Sequence, residues 1–243
     1  MSYSISGFAY AIIFVSFLYF WKRLFGYWRK ERNLISKLWV LFDGGFVLYL
    51  LIRAIGGLFF ANNSALLKLT IDISGFLQAF IFAVGAYLIV HLKFPRISPW
   101  YGFYPVIILG LIGAILTIFI PFKPFVDSTG AINWGASPDK IFFITALLRS
   151  FLAFIVLIPV ILINFQQFYA SSDSDVRKKA FGLGLSLLMV VVVGLIDFLF
   201  ANVLKIALIW RDYFYIIAGI ILAVSLIVSQ KNVEKDIFAE SGR

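Results

Sequence analysis

Five ionisable side chains stand inside long apolar runs of this chain: Asp43, Arg53, Asp72, Arg149 and Asp197. A charge near the centre of a membrane helix costs about 2.5–3.5 kcal/mol on insertion scales, so such residues pair with one another or carry function. Arginine and carboxylate together can form bidentate hydrogen bonds that fix helix positions while neutralising charge. The same groups can instead hold an ion, a proton or a small extracytoplasmic ligand. Depth sorts them. At about 1.5 Å per residue, Arg53 and Asp197 lie about 10 Å from the outer ends of their helices, Arg149 about 12 Å and Asp72 about 5 Å. These four come from four helices and share one half of the membrane, whereas Asp43 lies near the opposite face.

Residues three and four apart share a helix face, and small residues mark faces where membrane helices pack closely. Asp72 lines up with Gly75, Ala79, Ala83 and Ala86, and Arg53 with Gly45, Tyr49 and Gly57. Asp197 lines up with Gly182, Ser186, Val190, Gly194 and Ala201, and Arg149 sits between Thr145 and Ala153. The pattern predicts an outer-half polar cluster of Arg53, Asp72, Arg149 and Asp197. It would act as a structural clamp or as a ligand, ion or proton site.

The elements that must position this cluster are read from hydropathy. The chain of 243 residues is 62% hydrophobic and 14% charged, with a mean hydropathy of +0.99, against about 45–50% apolar and about 25% charged for soluble domains. A bilayer core needs about 20 apolar residues in a helix. Seven runs qualify, near 3–21, 38–60, 69–91, 102–122, 141–166, 180–204 and 213–229. The expected fold is an all-α polytopic integral membrane bundle of seven transmembrane helices. Residues 1–229 form the membrane domain and 230–243 a short cytoplasmic tail. Residues 1–4 carry no basic side chain and no small-residue cleavage motif follows the first run, so a cleavable signal sequence is not expected.

With the N-terminus outside, 14 Lys and Arg residues fall in inner segments, and five in outer ones: Lys68, Lys123, Lys140, Lys205 and Arg211. The bias predicts N-terminus outside and C-terminus inside. All six tryptophans fall at or beyond run ends, where an apolar ring with a polar N–H belongs. The first inner loop, 22–37, mixes basic and aromatic residues and suits an anionic leaflet. Pro159 predicts a kink in the fifth run. The outer stretch 123–140 has turn signals around a short apolar segment, so it is either a small hairpin lidding the outer mouth or a plain connector.

Several chemistries are disfavoured. No cysteine and one histidine argue against a metal centre or redox cofactor built by this chain, and no cofactor is expected. Residues 213–229 hold no lysine for a retinal Schiff base. Asp43 and Asp197 lie at opposite faces and cannot act as a proteolytic dyad. His91 at the inner boundary does not meet Ser186, and "GLGLS" (182–186) lacks the strand context of a phosphate loop. The net charge of +9 resides in the flanks of apolar runs and speaks for topology rather than nucleic acid.

The charged stretch entering the sixth run, "SSDSDVRKKAFGLGLSLLMVVVVGLIDFLF", together with seven N-out spans, resembles the seven-helix sensor region at the front of some bacterial signalling proteins, including histidine kinases. In that family the last helix continues into an output domain, whereas here "SQKNVEKDIFAESGR" follows. The resemblance implies a receptor-like or sensor-like module that responds to an extracytoplasmic ligand or proton and acts through a partner protein. The basic inner side with few flanking acids fits a bacterial or archaeal cytoplasmic membrane. Besides the bilayer itself, the expected partner is a cytoplasmic or membrane signalling protein. A transporter or channel, or an assembly subunit of a membrane complex, is the alternative reading.

Overall fold

The computed structural model describes residues 4–134, 140–198 and 207–240, without the side chains of residues 140, 175, 179, 197, 198 and 225–240. Seven helices carry the chain: α1 (Ile5–Glu31), α2 (Leu34–Phe59), α3 (Ser64–Lys93), α4 (Trp100–Ile118), α5 (Lys140–Ala170), α6 (Ser174–Phe198) and α7 (Leu208–Glu240). Between α4 and α5 stands an antiparallel hairpin of β1 (Phe125–Val126) and β2 (Ile132–Asn133). Among the described residues, six helices, α1 to α6, are long and apolar enough to cross a membrane.

Polar residues between the apolar runs set the helix starts. Ser4 caps α1 by accepting from the Gly7 amide at 3.0 Å. Asn33 caps α2 through Ser36, and Asn63 caps α3 through Ala65 and Leu66. The stretch 22–37, expected as a loop, is instead almost wholly helical. α1 runs on to Glu31, and only Arg32, in the left-handed region at φ 55°, and Asn33 turn the chain. Nothing in that stretch breaks a helix except Gly26, and emerging from an apolar layer does not end a helix that has no breaker.

The helices pack in chain order, α7 closes the ring on α1, and α3 reaches α5 behind α4. α1, α3, α5 and α7 begin, and α2, α4 and α6 end, at the end that carries the hairpin. The interior is aromatic and aliphatic, with Phe17, Phe42, Phe46, Ile81, Leu152 and Leu157 buried together. The outer faces are apolar too: Ile108, Ile112 and Ile115 on α4, and Ile217, Ile220 and Val224 on α7, are exposed. A bundle that is apolar inside and out is suited to hydrocarbon surroundings.

Small residues let the backbones approach. A Cβ on Gly7 would lie 2.5 Å from the Gly57 carbonyl carbon, and one on Gly57 would lie 2.5 Å from the Gly7 Cα. Ser4 Oγ seals this crossing by donating to the Gly57 carbonyl at 2.7 Å. Ala79 and Gly110 meet in the same way between α3 and α4. Gly57→Ala must part α1 from α2 and is expected to cost about 1–3 kcal/mol, as overpacking does. Gly26→Ala, where a Cβ meets nothing within 4 Å, is expected to leave stability unchanged or slightly raised. Thermal unfolding in mild detergent compares the two.

Candidate functional site

Arg53 stands one and a half turns before the end of α2, where hydrocarbon-like surroundings offer its guanidinium little water. The fold meets this with aromatic faces. The guanidinium carbon lies 4.4 Å from the ring centroid of Trp134, 5.7 Å from Tyr49 and 5.9 Å from Tyr10. Tyr49 is one turn back on α2, Tyr10 comes from α1, and Trp134 follows β2. The negative ring faces attract a cation, more strongly when water is excluded. Tyr10 packs edge-on against both Trp134 and Tyr215, and Tyr215 in turn lies 5.8 Å from the Arg211 guanidinium.

Arg149 projects from α5 across the backbone of α3 at Gly75, where a Cβ would come within 2.6 Å of Nη2. Nη2 donates to the Thr117 hydroxyl at 2.7 Å, which itself donates to the Gly113 carbonyl at 2.8 Å. The Thr117 carbonyl accepts from Lys68 Nζ at 3.1 Å, and the same ammonium lies 3.5 Å from Asp72 Oδ1. Thr117, at the end of α4, thus ties α3 and α5 together through one hydroxyl and one carbonyl. Tyr49, Arg53 and Asp72 are all within electrostatic reach of Arg149.

A third cation is fully enclosed. Arg211 and Asp212, 2% and 0% exposed, lie in the first turns of α7. Arg211 Nε donates to Asp212 Oδ1 at 2.9 Å, and Nη2 lies 2.9 Å from the same oxygen. Nη2 also donates to the Ile132 carbonyl at 2.9 Å and to Ser6 Oγ at 3.2 Å. The Ser6 hydroxyl donates to Asp212 Oδ2 and accepts from the Ile132 amide at 2.8 Å. The hairpin is pinned a second time where the Ile5 amide donates to the Gly130 carbonyl at 2.9 Å. Its turn is built by Asp127 Oδ1, which accepts from Thr129 and Ala131 amides, and by Gly130 at φ 84°. β2 is therefore held between α1 and α7, with Ala131 and Ile132 wholly buried.

These groups surround a cavity of about 750 Å³ that opens among α1, α2, α3, α5, α6 and α7. Arg53, Lys68, Arg149 and Arg211 line it, and no carboxylate does among the described residues. Farther from the hairpin the wall turns neutral at Ser74, Gln78 and Ser150, then apolar at Phe46, Phe82 and Leu157. Such a site offers guanidinium N–H groups in fixed directions to a negatively charged ligand. No cluster of three or more His, Cys, Asp or Glu side chains that could hold a metal ion occurs among the described residues.

Of the four residues expected to cluster, Arg53 and Arg149 share the cavity wall, and Asp72 does not line it and is paired with Lys68 rather than with an arginine. The side chain of Asp197 lies outside the described residues. Asp43 is buried on α2, ten residues before Arg53 and so about 15 Å away, and its Oδ2 has no hydrogen-bond partner among the described residues. Three cations counted as outer-segment charges prove to be helical: Lys68 lies in α3, Lys140 begins α5, and Arg211 is buried in α7. The Arg211–Asp212 pair was missed because adjacent opposite charges at a run boundary look like solvated flanks. The signal for it was Ser6, a hydroxyl inside the first apolar run.

Removing the anion from this enclosed network leaves Arg211 uncompensated. Asp212→Asn is expected to cost about 3–5 kcal/mol, and Ser6→Ala about 1–3 kcal/mol because it strands the Ile132 amide. The double variant should cost less than the two combined, since both act in one network; unfolding midpoints of the three variants check this. Neither the protein-family models nor the curated protein sequences match this chain, so the chemistry of the cavity itself carries the functional reading.

Proposed function

We propose that this chain is a receptor-like or sensor-like integral membrane module, crossing the membrane seven times with its N-terminus outside, whose outer-half cavity receives a negatively charged extracytoplasmic ligand. The observation that carries the reading is the cavity wall: four cationic side chains line it and, among the described residues, no carboxylate does; Lys68 and Arg211 are paired with Asp72 and Asp212, whereas Arg149 donates to the neutral Thr117 hydroxyl. A purely structural clamp would be expected to fill the space between its charges, whereas here about 750 Å³ stays open beside Arg53 and Arg149. The N-out orientation rests on the Lys and Arg distribution, and it puts the hairpin on the outer face.

Binding acts by population shift. A ligand that holds Arg149 of α5 more tightly in one arrangement of the bundle favours that arrangement by its difference in affinity. Because residues of both α5 and α6 line the cavity, the shift reaches the inner connector at 171–173 between these helices, where a partner protein would sense it. The charged segment entering α6 suits such a contact.

Two measurements test the proposal. In mild detergent, an anionic solute at about 100 times its Kd should stabilise the wild type by about 2.7 kcal/mol, and Arg149→Gln should fold yet lose that response. Absence of stabilisation by any anion, with Arg149→Gln merely less stable, would mark the cations as a clamp. The chain has no native cysteine, so single cysteines report topology cleanly. Ser128→Cys should react with a membrane-impermeant maleimide in intact cells, and Ser172→Cys only after lysis. The reverse pattern would overturn the orientation.

A further inference from the structure

We propose that the occupant of this cavity is a single-chain anionic amphiphile, its phosphate or carboxylate head held by Arg149 and Arg53 and its alkyl chain laid along the apolar wall. The inference deepens the ligand-binding reading of the same cavity and rests on it.

Three observations select this class over a small hydrophilic anion. The first is shape. The lining runs from Lys68 to Phe82 on α3 and from Leu208 to Leu222 on α7, fourteen helical steps each, so it extends about 21 Å along the bundle. A free phosphate or a short carboxylate would occupy only the hairpin end of such a space. The second is the order of chemistry along that length. Cations stand at the hairpin end, neutral Ser74, Ser150 and Gln78 follow, and Phe46, Phe82 and Leu157 close the floor. A head that needs N–H donors and a chain that needs dry apolar contact match this order. A cavity of about 750 Å³ sits within the roughly 300–1,000 Å³ of small-molecule sites and suits one chain with a compact head.

The third observation is access. Leu147 and Phe151 of α5 and Leu195 of α6 line the cavity and are exposed. Gly194, beside Leu195, also lines the cavity, and a Cβ built on it meets nothing within 4 Å. The cavity is therefore apolar and open along α5 and α6. A ligand dissolved in the bilayer would reach the cavity there without crossing water.

Binding of dodecyl phosphate, dodecanoate, dodecanol and inorganic phosphate to the full chain in phosphatidylcholine nanodiscs tests this, read by unfolding midpoint and by native mass spectrometry. Dodecyl phosphate or dodecanoate should bind about tenfold or more tightly than dodecanol, and inorganic phosphate at the same concentration should give no shift. Arg149→Gln should lose about tenfold or more in affinity, and Arg149→Lys should retain part of it. Ala153→Phe, which narrows the chain-binding part away from the head, should weaken dodecyl phosphate without creating a response to inorganic phosphate; it keeps the test open should Arg149→Gln fail to fold. If inorganic phosphate binds as well as dodecyl phosphate, the anion site stands and the amphiphile is overturned. If dodecanol binds equally, charge has no part and the amphiphile is again overturned. If none of the four binds, the amphiphile and the ligand-binding reading both fall.

Discussion

Guanidinium groups taken out of water must be met by something, and how each arginine of this bundle is met organises the hairpin end of the molecule. Three answers stand side by side. Arg211 is met by charge, in an enclosed pair with Asp212 that Ser6 and the Ile132 carbonyl complete. Arg53 is met by aromatic faces from α1, α2 and the segment after β2. Arg149 is met by a neutral hydroxyl, Thr117, and by the bare backbone at Gly75. The first arrangement satisfies its charge internally and so serves architecture. The third holds the guanidinium by a neutral hydroxyl, with Asp72 in electrostatic reach but paired to Lys68, and it lines open space.

The hairpin gains its purpose from the first of these. Two strands of two residues have no stability of their own, yet the four residues Ala131 to Trp134 touch the α1 start, the α7 start and Arg53. The Arg211 network holds β2, β2 delivers Trp134, and Trp134 covers Arg53. A structural ion pair thereby positions the cation–aromatic box that forms part of the cavity wall. The close Gly7–Gly57 crossing acts in the same direction, since it brings Tyr10 of α1 near Tyr49 and Arg53 of α2.

Much of this was legible in the residues. The helical runs follow directly from hydropathy, and Arg53 and Arg149 stood out because a charge within an apolar run is costly wherever it lands. Their common depth was enough to place them near one another. The turn chemistry around Asp127 and Gly130 announced a hairpin as one of two options. What sequence could not supply was pairing across elements. Asp72 was assigned to the arginines by depth, but Lys68 is one turn away on the same helix and takes it, an intrahelical neighbour winning over a distant one. Arg211 counts as a loop charge in any tally of basic residues, because only the fold folds Ser6 and Ile132 over it. Connector 22–37 was read as a loop from its charge, although charge ends an apolar run without ending a helix.

The central claim is that the open, cationic cavity beside Arg149 holds an anionic molecule in the membrane. Its most direct measurement is native mass spectrometry of the chain extracted gently from its own membranes, with the bound mass identified after release. The account predicts a stoichiometric adduct of an anionic single-chain compound on the wild type that is depleted in a folded Arg149→Gln variant. An unadorned wild-type mass, or the same lipid adducts on both proteins, would contradict it.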